Sequence, residues 1–195
     1  MSTALNMHKA RFYFWSGVAL IAAMALVVPK AWAGDHFGQP PKQVTNTIDN
    51  AKRMGFGTLR WFGLKIYDGQ LWANVEPEGF NYKRDPAWLE LTYARSFDGT
   101  DIAERSIDEM EEIGAGTPEQ HKAWLETLKS IFPDVKQGHT LSALHTPGKG
   151  IQFFRNGSPL ARVDDPELAA AFMGIWLDPK TSAPEMRRQL IGLKR

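Results

Sequence analysis

The chain has 195 residues, no cysteine, and 23 Lys and Arg against 22 Asp and Glu, for a formal net charge of +1. The missing cysteine excludes disulfides, thiolate metal sites, a cysteine nucleophile and an acylated lipoprotein cysteine. A near-neutral balance with no polybasic run excludes the cationic stripe that nucleic-acid phosphates demand.

His8, Lys9 and Arg11 precede an apolar run from Phe12 to Val28, which is followed by Pro29 and the small-residue pattern Ala31-Trp32-Ala33. Positive, apolar and small-residue regions in that order predict a signal peptide over residues 1–33, cleaved between Ala33 and Gly34. The alternative is an uncleaved anchor, because the run approaches the roughly 17–25 residues that span a bilayer. Ser16 and Gly17 interrupt it and favour removal, and membrane contact is expected only if the leader stays. Processing removes three bases and no acid, which takes the net charge from +1 to −2.

Residues 34–43 carry Gly34, Gly38, Pro40 and Pro41 and predict an extended lead-in, so that one folded domain occupies 44–195. Thr58 to Phe62 and Leu64 to Ala73 predict strands with a bend or bulge at Gly63 and Gly69. Glu76 to Pro86 predicts a loop. From Trp88 to Arg95 the period is two, with Leu89, Leu91, Tyr93 and Arg95 on one side and Trp88, Glu90, Thr92 and Ala94 on the other.

The period then changes. Ile102, Ser106, Met110 and Ile113 share one helical face, and Gly114 stops the helix. Thr117-Pro118-Glu119-Gln120 forms a capping box that opens a second helix ending before Pro133. Thr140 to His145, Gly150 to Arg155 and Leu160 to Val163 predict an antiparallel meander, with Asn156-Gly157 as its second turn and Pro159 marking an edge strand. Asp165-Pro166 opens a helix to about Leu177. Ser182-Ala183-Pro184-Glu185 is another capping box and predicts a short helix ending near Gly192. The sum is an α+β domain, an antiparallel sheet covered on one face by helices.

Gly55-Phe56-Gly57-Thr58 resembles the start of a dinucleotide fingerprint, but the third glycine is missing and a strand pattern follows. It predicts a turn leading into a closely packed strand. The five histidines have no metal-ligand spacing, so no metal and no cofactor is expected. Ser106 lies in a helix pattern, not in a nucleophile elbow. What remains is a set of polar and cationic side chains in otherwise apolar strands: Arg60, Lys65 and Tyr67, then Tyr93 and Arg95. If the strands pair, these groups converge, and Trp61, Phe62 and Trp72 supply apolar lining. Guanidinium and phenol beside an apolar cleft suit an anionic head on an apolar body. Against this, Arg60 and Lys65 taken singly fit strand-edge residues paired with surface acids.

The stretch from Leu59 to Trp72 resembles the signature strand of chalcone isomerase-like proteins of bacterial envelopes. Leu89-Glu90-Leu91-Thr92-Tyr93-Ala94-Arg95, Asp101-Ile102-Ala103-Glu104-Arg105-Ser106 with Glu109-Met110, Phe132-Pro133-Asp134-Val135-Lys136 and Gly174-Ile175-Trp176-Leu177-Asp178-Pro179 continue the likeness in order. The resemblance implies the chalcone isomerase fold, an open-faced β-sandwich, and a periplasmic location. It brings two precedents: plant enzymes that close a chalcone to a flavanone, and non-catalytic relatives that bind fatty acids in the same cleft.

When Leu64-Lys65-Ile66-Tyr67 is laid over the plant strand's Ile-Gly-Val-Tyr, Phe62 takes the place of the catalytic threonine and Asn50 that of the arginine. An aromatic ring in place of a hydroxyl removes electrostatic help for an enolate. The expectation is therefore a binder of a small amphipathic molecule, a fatty acid or similar apolar carboxylate, held by Arg60, Lys65, Tyr67, Trp72, Tyr93 and Arg95. Two alternatives are an intramolecular lyase acting on a chalcone-like enone and a non-catalytic interaction scaffold. Oligomeric state is left open by the sequence.

Overall fold

Six consecutive stretches of β-branched, aromatic and aliphatic residues pair with their chain neighbours, and so form a meander in which every connection is antiparallel. The computed structural model describes residues 40–193, and the leader and most of the lead-in lie outside the described residues. The strands are β1 (Lys52–Trp61), β2 (Leu64–Ala73), β3 (Ala87–Tyr93), β4 (Thr140–Thr146), β5 (Gly150–Arg155) and β6 (Ser158–Val163), in spatial order β1-β2-β3-β4-β5-β6. Among the described residues five α-helices accompany them, the single turn α1 (Lys42–Thr45), α2 (Gly99–Glu112), α3 (Pro118–Ile131), α4 (Pro166–Leu177) and α5 (Pro184–Leu190), with a 3-10 turn at Pro77–Gly79. None of the described helices is long and apolar enough to cross a membrane.

The period of two in β3 assigns the two faces of the sheet. Leu89, Leu91 and Tyr93 join the main core with Leu71, Ala143 and Phe153, and α2 to α5 cover that face through Met110, Leu128, Phe172 and Leu190. Trp88 points the other way and packs with Trp72, Leu144 and Phe154 under Val44 and Ile48 from the N-terminal turn. The expected α+β architecture with helices on one face is present, and α1 adds a small cover on the other. Both cores lie within the compact unit His36–Arg195.

Local chemistry explains most boundaries. Asn156 and Gly157 hold φ of +49° and +76°, the left-handed pair that a two-residue hairpin needs. Thr117 and Gln120 exchange both bonds of the capping box, and Asp165 accepts from Glu167 and Leu168 N–H to start α4. Asp165 also accepts from the Trp124 indole at 2.9 Å, which fastens α3 to the start of α4.

Several expectations change. Strand β1 begins at Lys52 and includes Gly55 and Gly57, where a turn was expected. These glycines admit α5: a Cβ on Gly55 would lie 1.9 Å from the Gln189 carbonyl oxygen. The irregularities fall between Arg53 and Gly55 and between Leu59 and Arg60, whereas Gly69 pairs regularly with Gly57 and Leu91. The lead-in is helical at Lys42–Thr45 rather than extended to residue 43. Ser182 does not cap α5; its N-cap is Ala183, without a side-chain bond, because the Ser182 hydroxyl is engaged elsewhere. The β1–β2 turn places Phe62 at φ +46° beside Gly63 at +77°. Bulky residues rarely adopt that conformation, and Asn or Gly holds it with less strain.

His145 in β4 is 1 % exposed, and among the described residues its Nδ1 has no hydrogen-bond partner. Burial holds its pKa down to about 4, against 6.5 for an ordinary imidazole. As pH falls below 6.5 the unfolded chain takes up a proton that the folded one refuses until about pH 4, so stability declines across that window. The loss is expected to reach up to about 3 kcal/mol. Urea unfolding of the wild type and His145→Leu at several pH values checks this: their stability difference should vary between pH 6.5 and 4 and be flat above.

Candidate functional site

Tyr67 and Tyr93 occupy paired positions on β2 and β3, so register alone sets them side by side, with ring centroids 5.8 Å apart and an edge-on contact. Both point to the helix-covered face. Helix α4 brings Trp176 down onto them, and its indole N–H donates to the Tyr67 hydroxyl oxygen at 2.9 Å. No described residue accepts the Tyr67 proton. Burial pushes both phenols well above their ordinary pKa, with the indole bond acting against burial at Tyr67 and the Tyr67 ring adding to it at Tyr93. Both therefore stay protonated at any physiological pH and remain hydrogen-bond donors.

Helix α2 supplies the charges. Glu109 is 8 % exposed and its carboxylate accepts from the Arg105 guanidinium one helical turn earlier and from the Ser182 hydroxyl at 2.6 Å. Both charges are near enough to act on the Tyr67 hydroxyl, in opposite senses. Ser106, on the same helix, returns its proton to the Ile102 carbonyl at 2.8 Å. The buried corner thus contains two phenol donors, one guanidinium reaching in from the rim, and an internal carboxylate that holds it. A buried carboxylate is tolerable only when paired in this way.

Of the residues expected to form one site, the structure sets Tyr67 and Tyr93 side by side on the helix-covered face, while Arg60 and Lys65 pair separately at the end of the β1–β2 hairpin. Trp72 is buried on the opposite face of the sheet against Trp88 and Phe154. Arg60 is exposed, with its guanidinium donating to the Gly63 carbonyl at 3.3 Å. Lys65 pairs with Asp68 at 2.5 Å, and Asp68 also accepts from the Thr58 hydroxyl. Arg95 is exposed just beyond β3. The positions laid over the plant threonine and arginine, Phe62 and Asn50, are both exposed turn residues with positive φ.

The residues that complete the corner, Arg105, Glu109, Trp176 and Ser182, were not among the expected set. A signal for Glu109 was present, since 102, 106, 109 and 113 make a helical stripe as regular as the one through Met110.

Phe132, Phe153, Phe172 and Trp176 fill the adjoining interior in successive ring contacts with centroids 5.0–5.9 Å apart. A concavity of about 140 Å³ lies elsewhere, bordered by Thr47, Leu144, Lys149, Gln152 and Arg162. Among the described residues no group of His, Asp or Glu is arranged to hold a metal.

Comparison with known proteins agrees with this architecture. A Haemophilus influenzae protein described as uncharacterized is 25 % identical over 139 residues, covering 71 % of this chain and 67 % of its own length. The crystal structure of an Arabidopsis thaliana fatty-acid binding protein superposes with a TM-score of 0.56 at 11 % identity, covering 74 % of this chain and 88 % of its own. At that identity the likeness establishes the fold alone. The family model for chalcone isomerase-like proteins matches residues 39–192, and the chain belongs to that family.

Proposed function

We propose that this chalcone isomerase-like protein is an exported, periplasmic binder of a small amphipathic molecule, a fatty acid or similar apolar carboxylate, which it holds without turnover. The observation that carries the reading is the Tyr67 hydroxyl: half-buried, protonated, held by the Trp176 indole and within electrostatic reach of Arg105. Its proton can be donated to a carboxylate oxygen. The order of residue types in the leader supports export. The fatty-acid binding protein with the same fold supports the ligand class.

Arg105 and Tyr67 replace Arg60 and Arg95 as the anchor. In the structure Glu109 occupies the guanidinium with a carboxylate of its own, so an incoming head group competes with it, and the apolar tail must displace packed aromatic rings. Glu109→Gln keeps the shape and removes the competing charge, and is expected to tighten fatty-acid binding about tenfold, whereas Arg105→Met should weaken it by at least about tenfold. Titration with a labelled fatty acid reads both. Native mass spectrometry of the protein recovered from cells should show a retained acidic lipid. Failure to retain or bind any fatty acid overturns the reading.

A second reading has its own support. The filled interior between sheet and helices suits a non-catalytic interaction scaffold, which predicts no lipid binding and a partner recovered by cross-linking.

A further inference from the structure

Trp61, Phe62 and Leu64, which form the tip of the β1–β2 hairpin, are 55 %, 84 % and 47 % exposed. Trp61 and Phe62 pack edge-on with ring centroids 4.7 Å apart, so they present one continuous apolar surface and not two separate side chains. Phe62 keeps this place at positive φ, in a turn where asparagine would be relaxed. Exposure and backbone strain together work against stability, which marks the tip as serving something outside the folded chain.

Cations surround the tip. Arg60 and Lys65 are paired across the hairpin, and Arg95 follows Ala94, whose N–H donates to Ile66 on the same strand. Among the described residues, Lys65 alone of the three pairs with a carboxylate, that of Asp68. The hairpin end therefore joins a tryptophan, a phenylalanine and a leucine to an excess of positive charge. Tryptophan favours the boundary between headgroups and acyl chains, and arginine and lysine at the same depth meet anionic headgroups.

We propose that the β1–β2 tip is a membrane-docking device that inserts Trp61, Phe62 and Leu64 into the interface of an anionic lipid surface, with Arg60 and Arg95 on the headgroups. Lipid contact then belongs to the folded domain and does not depend on a retained leader. The inference is independent of whether the Tyr67 corner holds a fatty acid.

Residues 34–195 contain both cores and are the form to test, by flotation with vesicles of phosphatidylcholine mixed with phosphatidylglycerol and with vesicles of phosphatidylcholine alone. Binding to the mixed vesicles is expected to be stronger by about tenfold or more, and to weaken as salt is raised. Phe62→Asn relieves the turn, so it should unfold no earlier than the wild type on heating and yet lose at least about tenfold in vesicle binding. Arg60→Gln with Arg95→Gln should abolish the preference for the anionic vesicles. Absence of vesicle binding, or binding unchanged by Phe62→Asn, overturns the proposal. So does a concentration-dependent dimer that Phe62→Asn dissolves, which would make the tip a contact between two copies of this chain.

Discussion

Trp176→Ala is expected to destabilise the fold by about 4 kcal/mol, near the upper end for loss of a buried aromatic side chain. Trp176 is 6 % exposed, contacts Phe172 edge-on with centroids 5.3 Å apart, and donates to Tyr67. Truncation removes the ring contacts, opens a cavity beside the sheet and leaves the half-buried Tyr67 oxygen without its donor. Tyr67→Phe isolates the polar part: it orphans the indole N–H and should cost about 1–2 kcal/mol. Urea unfolding of both single variants and the double variant measures the coupling, and a sum of single effects larger than the double effect by about 1 kcal/mol is expected for residues in direct contact.

The second large effect is local in origin. A Cβ on Gly55 would stand 1.9 Å from the Gln189 carbonyl oxygen and 2.5 Å from that of Leu190, and both obstacles are backbone. Gly55→Ala must therefore push the end of α5 off β1, uncovering Leu190 and Ile191, which are 0 % and 6 % exposed. A loss of about 3 kcal/mol is expected, with α5 becoming the first site of limited proteolysis. Gly79→Ala meets nothing within 4 Å and serves as the control, with a change within about 0.5 kcal/mol.

The contrast between these glycines shows where sequence patterns lose information. Gly55 and Gly57 look like a turn because glycine weakens a strand, and only the arrival of α5, more than 130 residues later, explains why side chains are excluded there. The letters of a capping box occur twice. At Thr117 they form one; at Ser182 the hydroxyl goes to Glu109, a partner fixed by tertiary packing. The alternation of β3 and the Asn156-Gly157 turn were legible because their determinants lie within a few residues, although β3 is buried on both faces and not on one.

The candidate site was legible only in part for the same reason. Tyr67 and Tyr93 meet through strand register, and in the sequence their convergence was conditional on the strands pairing. Trp72 could have been set apart by parity, since it lies five residues from Tyr67 along a strand without a bulge between them and so faces the other way. Arg60 sits past the irregularity after Leu59, where alternation no longer predicts direction. Arg105 and Glu109 carry the charges of a solvated helix face; Arg105 stays exposed there, while Glu109 is buried and accepts from Ser182, a partner far away in the sequence.

The two proposed contacts with lipid share strand β2. The turn between β1 and β2 carries the exposed aromatic tip, and Tyr67 follows Leu64 by three residues within β2.

The indole N–H resonance of Trp176 reports on this corner from inside, because its hydrogen bond ends on Tyr67. Titrating the labelled protein with a long-chain fatty acid should shift that resonance in a saturable manner, and Arg105→Met should suppress the shift. A Trp176 signal that stays in place through the titration, with the other indole signals equally unmoved, would contradict a ligand site at Tyr67.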